Sequence, residues 1–197
     1  MQQKAARRSN RDRTEATRAD LIAAGRRLFT EKSYAETGTP EIVAAAGVTR
    51  GALYHHFEDK RALFLAIVDR EAEAVSDEIE RATPLELSPR EALIAGSDAY
   101  LAAMREPGRT RLLLLDGPAV LGRAVMDEVD NRHGSRTLRE GLVAAMRTGA
   151  MRKLPADALT SLLAAAFDRA ALAIDAGGPV DDYRKTLAAL IEALMSN

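Results

Sequence analysis

The side chains best suited to chemistry collect in one short stretch, "TRGALYHHFEDK", residues 49–60. The chain has only four Phe, four Tyr and three His, with no Trp. Two of the His and two of those aromatics stand here, with Lys60 behind them. Arg50 can hydrogen-bond two acceptors on one guanine, and Tyr54, His55 and His56 can reach phosphate oxygens. Gly51 would let a backbone approach closely. The same types can equally serve as packing residues of a small helical domain, so chemistry alone leaves both readings open.

Catalytic and metal chemistry find no comparable support. There is no Cys, hence no thiolate nucleophile, zinc thiolate or disulfide. His55 and His56 are adjacent and His133 stands apart, so no His-Glu-x-x-His spacing arises, and neither Gly-x-Ser-x-Gly nor a Gly-rich phosphate loop occurs. No enzyme, metal site or cofactor is expected.

The elements that must position residues 49–60 are short helices with tight turns. Pro40 suits a first helical position, so Thr39 is expected to cap a helix through "PEIVAAA" that Gly47 ends. Thr49 is a good N-cap for a second helix, with Val48 and Leu53 at the spacing of a hydrophobic staple. Leu53 and Phe57, four apart, then point inward together. Two helices with a three-residue turn make a helix-turn-helix, its second member exposing Arg50, Gly51, Tyr54 and His55. Asp59 is the expected cap of the next helix, and Lys60 follows it where a phosphate could also meet backbone N–H groups.

Tyr34, Thr37, Ile42, "AAGVTRGALYHHF" and Lys60 together resemble the N-terminal DNA-binding domain of the TetR family of transcriptional regulators. The resemblance covers about residues 14–70 without insertion. Two positions depart from the family pattern: Gly38 stands where a second Thr is usual, and Val43 where Ala is usual. Carried over by position, the resemblance implies a DNA-facing set of Thr37, Thr39, Thr49, Arg50, Gly51, Tyr54, His55, His56 and Lys60. It also implies a larger helical domain behind this one that dimerises and holds a small effector.

The rest of the chain agrees with an all-α fold. Every periodic stretch has the helical period, as in Leu21, Ile22, Gly25, Leu28 and Phe29, with Thr17 as its expected N-cap. Ser88-Pro89-Arg90-Glu91 forms a capping box. About ten helices are expected, at 17–31, 40–46, 50–56, 60–81, 89–105, 109–115, 118–132, 135–150, 156–176 and 180–195. The expected domains are a basic flexible arm at 1–16, the helix-turn-helix domain at 17–64 and a helical dimerisation and effector domain at 65–197. Charge follows this division: residues 1–70 hold 13 Lys/Arg against 9 Asp/Glu, and residues 71–197 hold 15 against 20. A basic end on an acidic body suits a polyanion met by the first part only.

In the body, Leu159, Leu162, Leu163, Ala166, Phe167, Ala170 and Ile174 give one helix a broad apolar face. With Leu138, Leu142, Val143 and Met146 it could build a four-helix interface across a two-fold axis. Candidate effector residues are Tyr100, Met104, Leu113, Asp116, Met126, Phe167 and Asp168. The shortage of aromatics favours an aliphatic or small polar ligand over flat cationic drugs. No apolar stretch approaches the roughly 20 residues of a membrane span, so a cytoplasmic location is expected. The leading reading is a homodimeric repressor on a palindromic DNA operator, released by a small molecule. A ligand-independent DNA-binding dimer and an activator stay open as alternatives.

Overall fold

The computed structural model describes residues 10–196, and among these it contains ten α-helices and no strand. The helices are α1 (Asn10–Glu31), α2 (Thr39–Ala45), α3 (Arg50–His56), α4 (Lys60–Ala82), α5 (Pro89–Ala103), α6 (Gly117–Leu121), α7 (Arg123–Arg132), α8 (Gly134–Arg147), α9 (Ala156–Asp175) and α10 (Val180–Glu192). A π-helical segment, Arg111–Asp116, precedes α6. Packing divides the chain between Ile67 and Val68, within α4.

The first unit is built on apolar side chains from all four of its helical pieces. Leu21 and Phe29 of α1, Ile42 of α2, Leu53 of α3 and Leu63 and Phe64 of α4 are fully buried. Phe29 and Phe64 meet edge to face at 5.3 Å, and Tyr34 stacks obliquely on both, at 5.5 and 4.9 Å. Gly25 lets α1 and α4 close up, since a Cβ there would lie 2.9 Å from Ile67 Cδ1.

The second unit packs α5, α8, α9 and α10 around Leu93, Leu101, Leu142, Leu163, Phe167, Leu187 and Ile191. The expected capping box at Ser88 is present: its Oγ accepts from the Glu91 N–H at 3.3 Å, and the Glu91 carboxylate accepts from the Ser88 N–H at 2.9 Å. Met151 bridges to Met195, and the Ser196 N–H donates to the Ala150 carbonyl at 2.9 Å, which pins the end of α10 against the α8–α9 turn.

Four local expectations are corrected. Residues 10–16 are helical rather than a flexible arm, so Thr17 lies inside α1 and caps nothing; residues 1–9 of that arm lie outside the described residues. Gly38, not Thr39, is the N-cap of α2, its N–H bonded to the Glu41 carboxylate at 3.3 Å. The single helix expected at 118–132 is broken at Gly122, whose φ of +83° leaves the helical region. The helix expected at 109–115 is the π segment. Pro118 offers no N–H to continue an α-helical ladder, and the Gly117 N–H bonds Leu112, five residues back.

Sequence reading did not single out Arg109, which the fold buries to 6% exposure. Its Nε donates to Glu71 Oε2 at 3.0 Å, and its Nη1 donates to Glu78 Oε1 at 3.0 Å and to the Ala103 carbonyl at 2.7 Å. The guanidinium thereby joins α4 to the end of α5. Replacing Arg109 by Met leaves Glu71 buried without this counter-charge. Urea denaturation of R109M should show stability lower by about 3–5 kcal/mol, the usual cost of breaking a buried pair from one side.

Candidate functional site

The outward face of α3 follows from its two ends and its buried side. Gly47 at φ +65° closes α2, with the Val48 N–H on the Val43 carbonyl at 3.0 Å and the Gly47 N–H on the Ala44 carbonyl at 3.2 Å. Thr49 then opens α3, its Oγ1 accepting from the Ala52 N–H at 3.1 Å. Leu53 and Phe57 turn inward, which leaves Arg50, Gly51, Tyr54 and His55 exposed.

Several of the expected DNA-facing residues come together there. The Arg50 guanidinium lies 5.5 Å from the Tyr54 ring centre. The Tyr54 hydroxyl is held below its ordinary pKa, first by Arg50 and then by Thr39, so these three side chains meet between α2 and α3. Tyr54 is 43% exposed, a large aromatic left to solvent on a two-turn helix. The His55 and His56 rings stand edge to face at 5.3 Å. His56 is only partly exposed, and its pKa is pushed down by burial first, then by His55 and by Arg18 of α1. Arg18, which sequence reading passed over, also lies 5.1 Å over the Phe57 ring.

Thr37 and Lys60 are spent inside the unit. Thr37 is 1% exposed, and its hydroxyl donates to the Ser33 carbonyl at 2.7 Å, with the Leu28 carbonyl at 3.3 Å. That corrects the expectation of a phosphate ligand: its hydroxyl ties the α1–α2 loop. The Lys60 ammonium donates to the Tyr34 and Thr37 carbonyls at 2.9 and 3.0 Å and sits 4.1 Å over the Tyr34 ring. Two of its three protons are thus committed to the same loop.

Gly51 is informative for what does not surround it. A Cβ built there would find only Thr49 Oγ1 within 4 Å, at 3.8 Å, and the helix has no unusual backbone angle at this position. Nothing in the described fold requires glycine.

In the second unit, the expected effector residues separate into two groups. The Tyr100 hydroxyl donates to Asp168 Oδ1 at 2.7 Å, the Tyr100 and Phe167 rings lie 5.7 Å apart, and Met104, the C-cap of α5, is buried. Burial pushes the Asp168 carboxyl up despite the Tyr100 hydrogen bond, with Asp130 of α7 adding to the effect. The Tyr100 hydroxyl is raised well above its ordinary value, first by burial and then by Asp168. Leu113 and Asp116 instead belong to the π segment, and Met126 lies against Gly117 just after it. Leu113 is core, and Met126 Sδ would be 3.0 Å from a Cβ on Gly117. Asp116 Oδ2 is buried without a hydrogen bond, although Arg111 Nε lies 3.3 Å away.

A cavity of about 210 Å³ opens where α5 and α9 end, with Leu101, Met104, Thr110 and Ala171 among its walls. Of the expected effector residues only Met104 lines it; Tyr100 and Asp168 stand one helical turn beyond. No group of three or more potential metal ligands occurs among the described residues, and no helix there is long and apolar enough to cross a membrane.

The profile described as "Tetracyclin repressor-like, C-terminal domain" matches residues 90–197, and that described as "Bacterial regulatory proteins, tetR family" matches 21–67. The chain belongs to the TetR family. A crystal structure of a TetR-family regulator from Pectobacterium atrosepticum superposes with a TM-score of 0.75 at 30% identity, over 96% of this chain and 99% of that one. The transcriptional activator FasR of Mycolicibacterium smegmatis is 27% identical over 62% of this chain and 56% of its own length. The transcriptional repressor BepR of Brucella suis is 43% identical over 27% of this chain and 26% of its own. The aligned stretches thus span about half and a quarter of those two relatives. TetR-family proteins are DNA-binding transcriptional regulators, not enzymes.

Two outcomes follow from the site geometry. In G51A, urea denaturation should show unchanged or higher stability, by up to about 1 kcal/mol, because alanine is the better helix former. A DNA affinity lower by about tenfold or more, roughly 1.4 kcal/mol, in the same variant would place Gly51 against DNA, and an unchanged affinity would place it away from DNA. For Asp168 the folded pKa is raised, so its contribution to stability is complete below the unfolded value near 3.8 and is lost as pH rises through the folded value. D168N keeps an oxygen for the Tyr100 hydroxyl and carries no charge. Unfolding measured at pH 4 and pH 7 should therefore show D168N gaining on the parent protein as pH rises.

Proposed function

We propose that this TetR-family chain is a homodimeric repressor that places α3 in the major groove of a palindromic operator and leaves DNA when a small molecule binds its second unit. The observation that carries the DNA-reading role is the exposed face of Arg50, Gly51, Tyr54 and His55, backed by buried Leu53 and Phe57. Arg50 reads a base edge, and Tyr54, steadied by Arg50 and Thr39, takes a backbone phosphate. Thr49, whose hydroxyl caps α3, and His55 add phosphate contacts at the two ends of that helix. His56 supports the α1 side, and Lys60 acts mainly by holding the loop before α2.

Apolar surface left uncovered on one chain supports the dimer. Leu162 of α9 is 72% exposed beside exposed Ala158 and Ala165, and Val143 of α8 is 38% exposed. Small residues flanking Leu162 let a second copy of these helices come close, and a two-fold dimer matches two half-sites of a palindrome. The cavity in the second unit supports ligand response. Binding there shifts the protein between forms of different operator affinity. Such a regulator works where the chromosome is, in the cytoplasm.

The test is retention of sheared DNA from the source genome by the purified chain, followed by salt titration on the best fragment. Recovery of a few palindromes with affinity falling steeply as salt rises is expected. Recovery of random DNA, or of none, sinks the operator reading. On the recovered site, Arg50→Ala should relax preference at one base pair by about 1–3 kcal/mol while leaving discrimination elsewhere intact.

A further inference from the structure

Several buried polar groups of the second unit are answered from within the chain. Arg109 meets Glu71 and Glu78, Tyr100 meets Asp168, and the Thr110 hydroxyl donates to the Met104 carbonyl at 2.9 Å. Exposed charges of opposite sign are also joined directly: Arg90 with Glu192 at 2.6 Å, Arg184 with Asp98 at 2.6 Å and Arg139 with Asp157 at 2.7 Å.

The cavity at the ends of α5 and α9 breaks this pattern. Arg105, just past the end of α5, and Asp175, the last residue of α9, both line it. Neither side chain makes a hydrogen bond or an ion pair among the described residues, so two opposite charges face one space unjoined. Asp175 stands at the electronegative end of α9, whose last turn carries no basic residue, so the helix itself works against this carboxylate. The Thr110 hydroxyl proton is already committed, which leaves Arg105 and Asp175 as the charged groups on offer. The rest of the wall is aliphatic: Leu101, Met104 and Ala171 are buried and Ile174 is part-buried. At about 210 Å³ the space exceeds the roughly 150 Å³ that holds a benzene ring, so a molecule the size of an amino acid fits.

We propose that this cavity binds a small zwitterion with an aliphatic side chain, an α-amino acid, its carboxylate on Arg105, its ammonium on Asp175 and its alkyl group against Leu101, Ala171 and Ile174. This deepens, and rests on, the ligand-responsive reading above. One ligand then supplies both missing partners. The guanidinium takes a carboxylate through two parallel hydrogen bonds, and the ammonium offsets the charge at the end of α9. A ligand with a single charge answers one group and is repelled by the other.

Calorimetric titration of the full chain at pH 7, without DNA, compares L-leucine with 4-methylpentanoate, which lacks its ammonium, and 3-methylbutylamine, which lacks its carboxylate. Leucine should bind at least fivefold tighter than either. Arg105→Gln should bring leucine down to the level of the amine or below, and Asp175→Asn down to the level of the acid or below. Both positions are exposed, and D175N removes an acid from a helix C-terminus, so both variants should fold as the parent does. Either single-charge analogue binding as tightly as leucine, an undiminished leucine preference in R105Q or D175N, or no binding of leucine overturns the proposal. Leucine binding that leaves operator retention unchanged upholds this site and sinks ligand control of DNA binding, which separates the two failures.

Discussion

The exposed face of α3, which we propose reads DNA, depends on the burial of Leu53 and Phe57. A seven-residue helix is too short to persist on its own, because nucleation costs more than two turns of hydrogen bonds return. α3 is held by those two inward side chains, by the Thr49 cap at its start and by the closed end of α2 just before it. Once Leu53 and Phe57 face inward, the helical period dictates that Arg50, Gly51, Tyr54 and His55 face out. The same burial fixes the orientation of that face relative to the rest of the unit.

The loop between α1 and α2 is held by the same economy. Lys60 and Thr37 both look like groups for DNA, yet the fold uses them to satisfy the carbonyls of Leu28, Ser33, Tyr34 and Thr37. Buried carbonyls left unpaired are costly, so a cation and a hydroxyl within reach are drawn to them. The Lys60 ammonium also rests on the Tyr34 ring, which stacks on Phe29 and Phe64. A polar tie and the aromatic core thus meet at one residue, and the loop before α2 rests on both.

In the second unit, burial of charge divides the residues by their role. Arg109 with Glu71 and Glu78 is a matched set whose hydrogen bonds also take up a carbonyl at the end of α5. Asp168 is an ionisable group whose surroundings disfavour its charge, and it ties α9 to α5 by accepting the Tyr100 hydroxyl.

Much of the fold was legible from the sequence. The helical period, the Ser88 and Thr49 caps, the Gly47 stop and the inward pair on α3 each depend on residues within about five positions, and local sterics and hydrogen bonding decide them. The family's motif, which carries the same local rules, was legible for the same reason. Only tertiary structure decided which polar side chains are spent inside. Lys60 lies 26 and 23 positions from its carbonyl partners, Arg109 lies 38 from Glu71, and Tyr100 lies 68 from Asp168. Such partnerships are set by how helices pack, and no spacing along the chain encodes them.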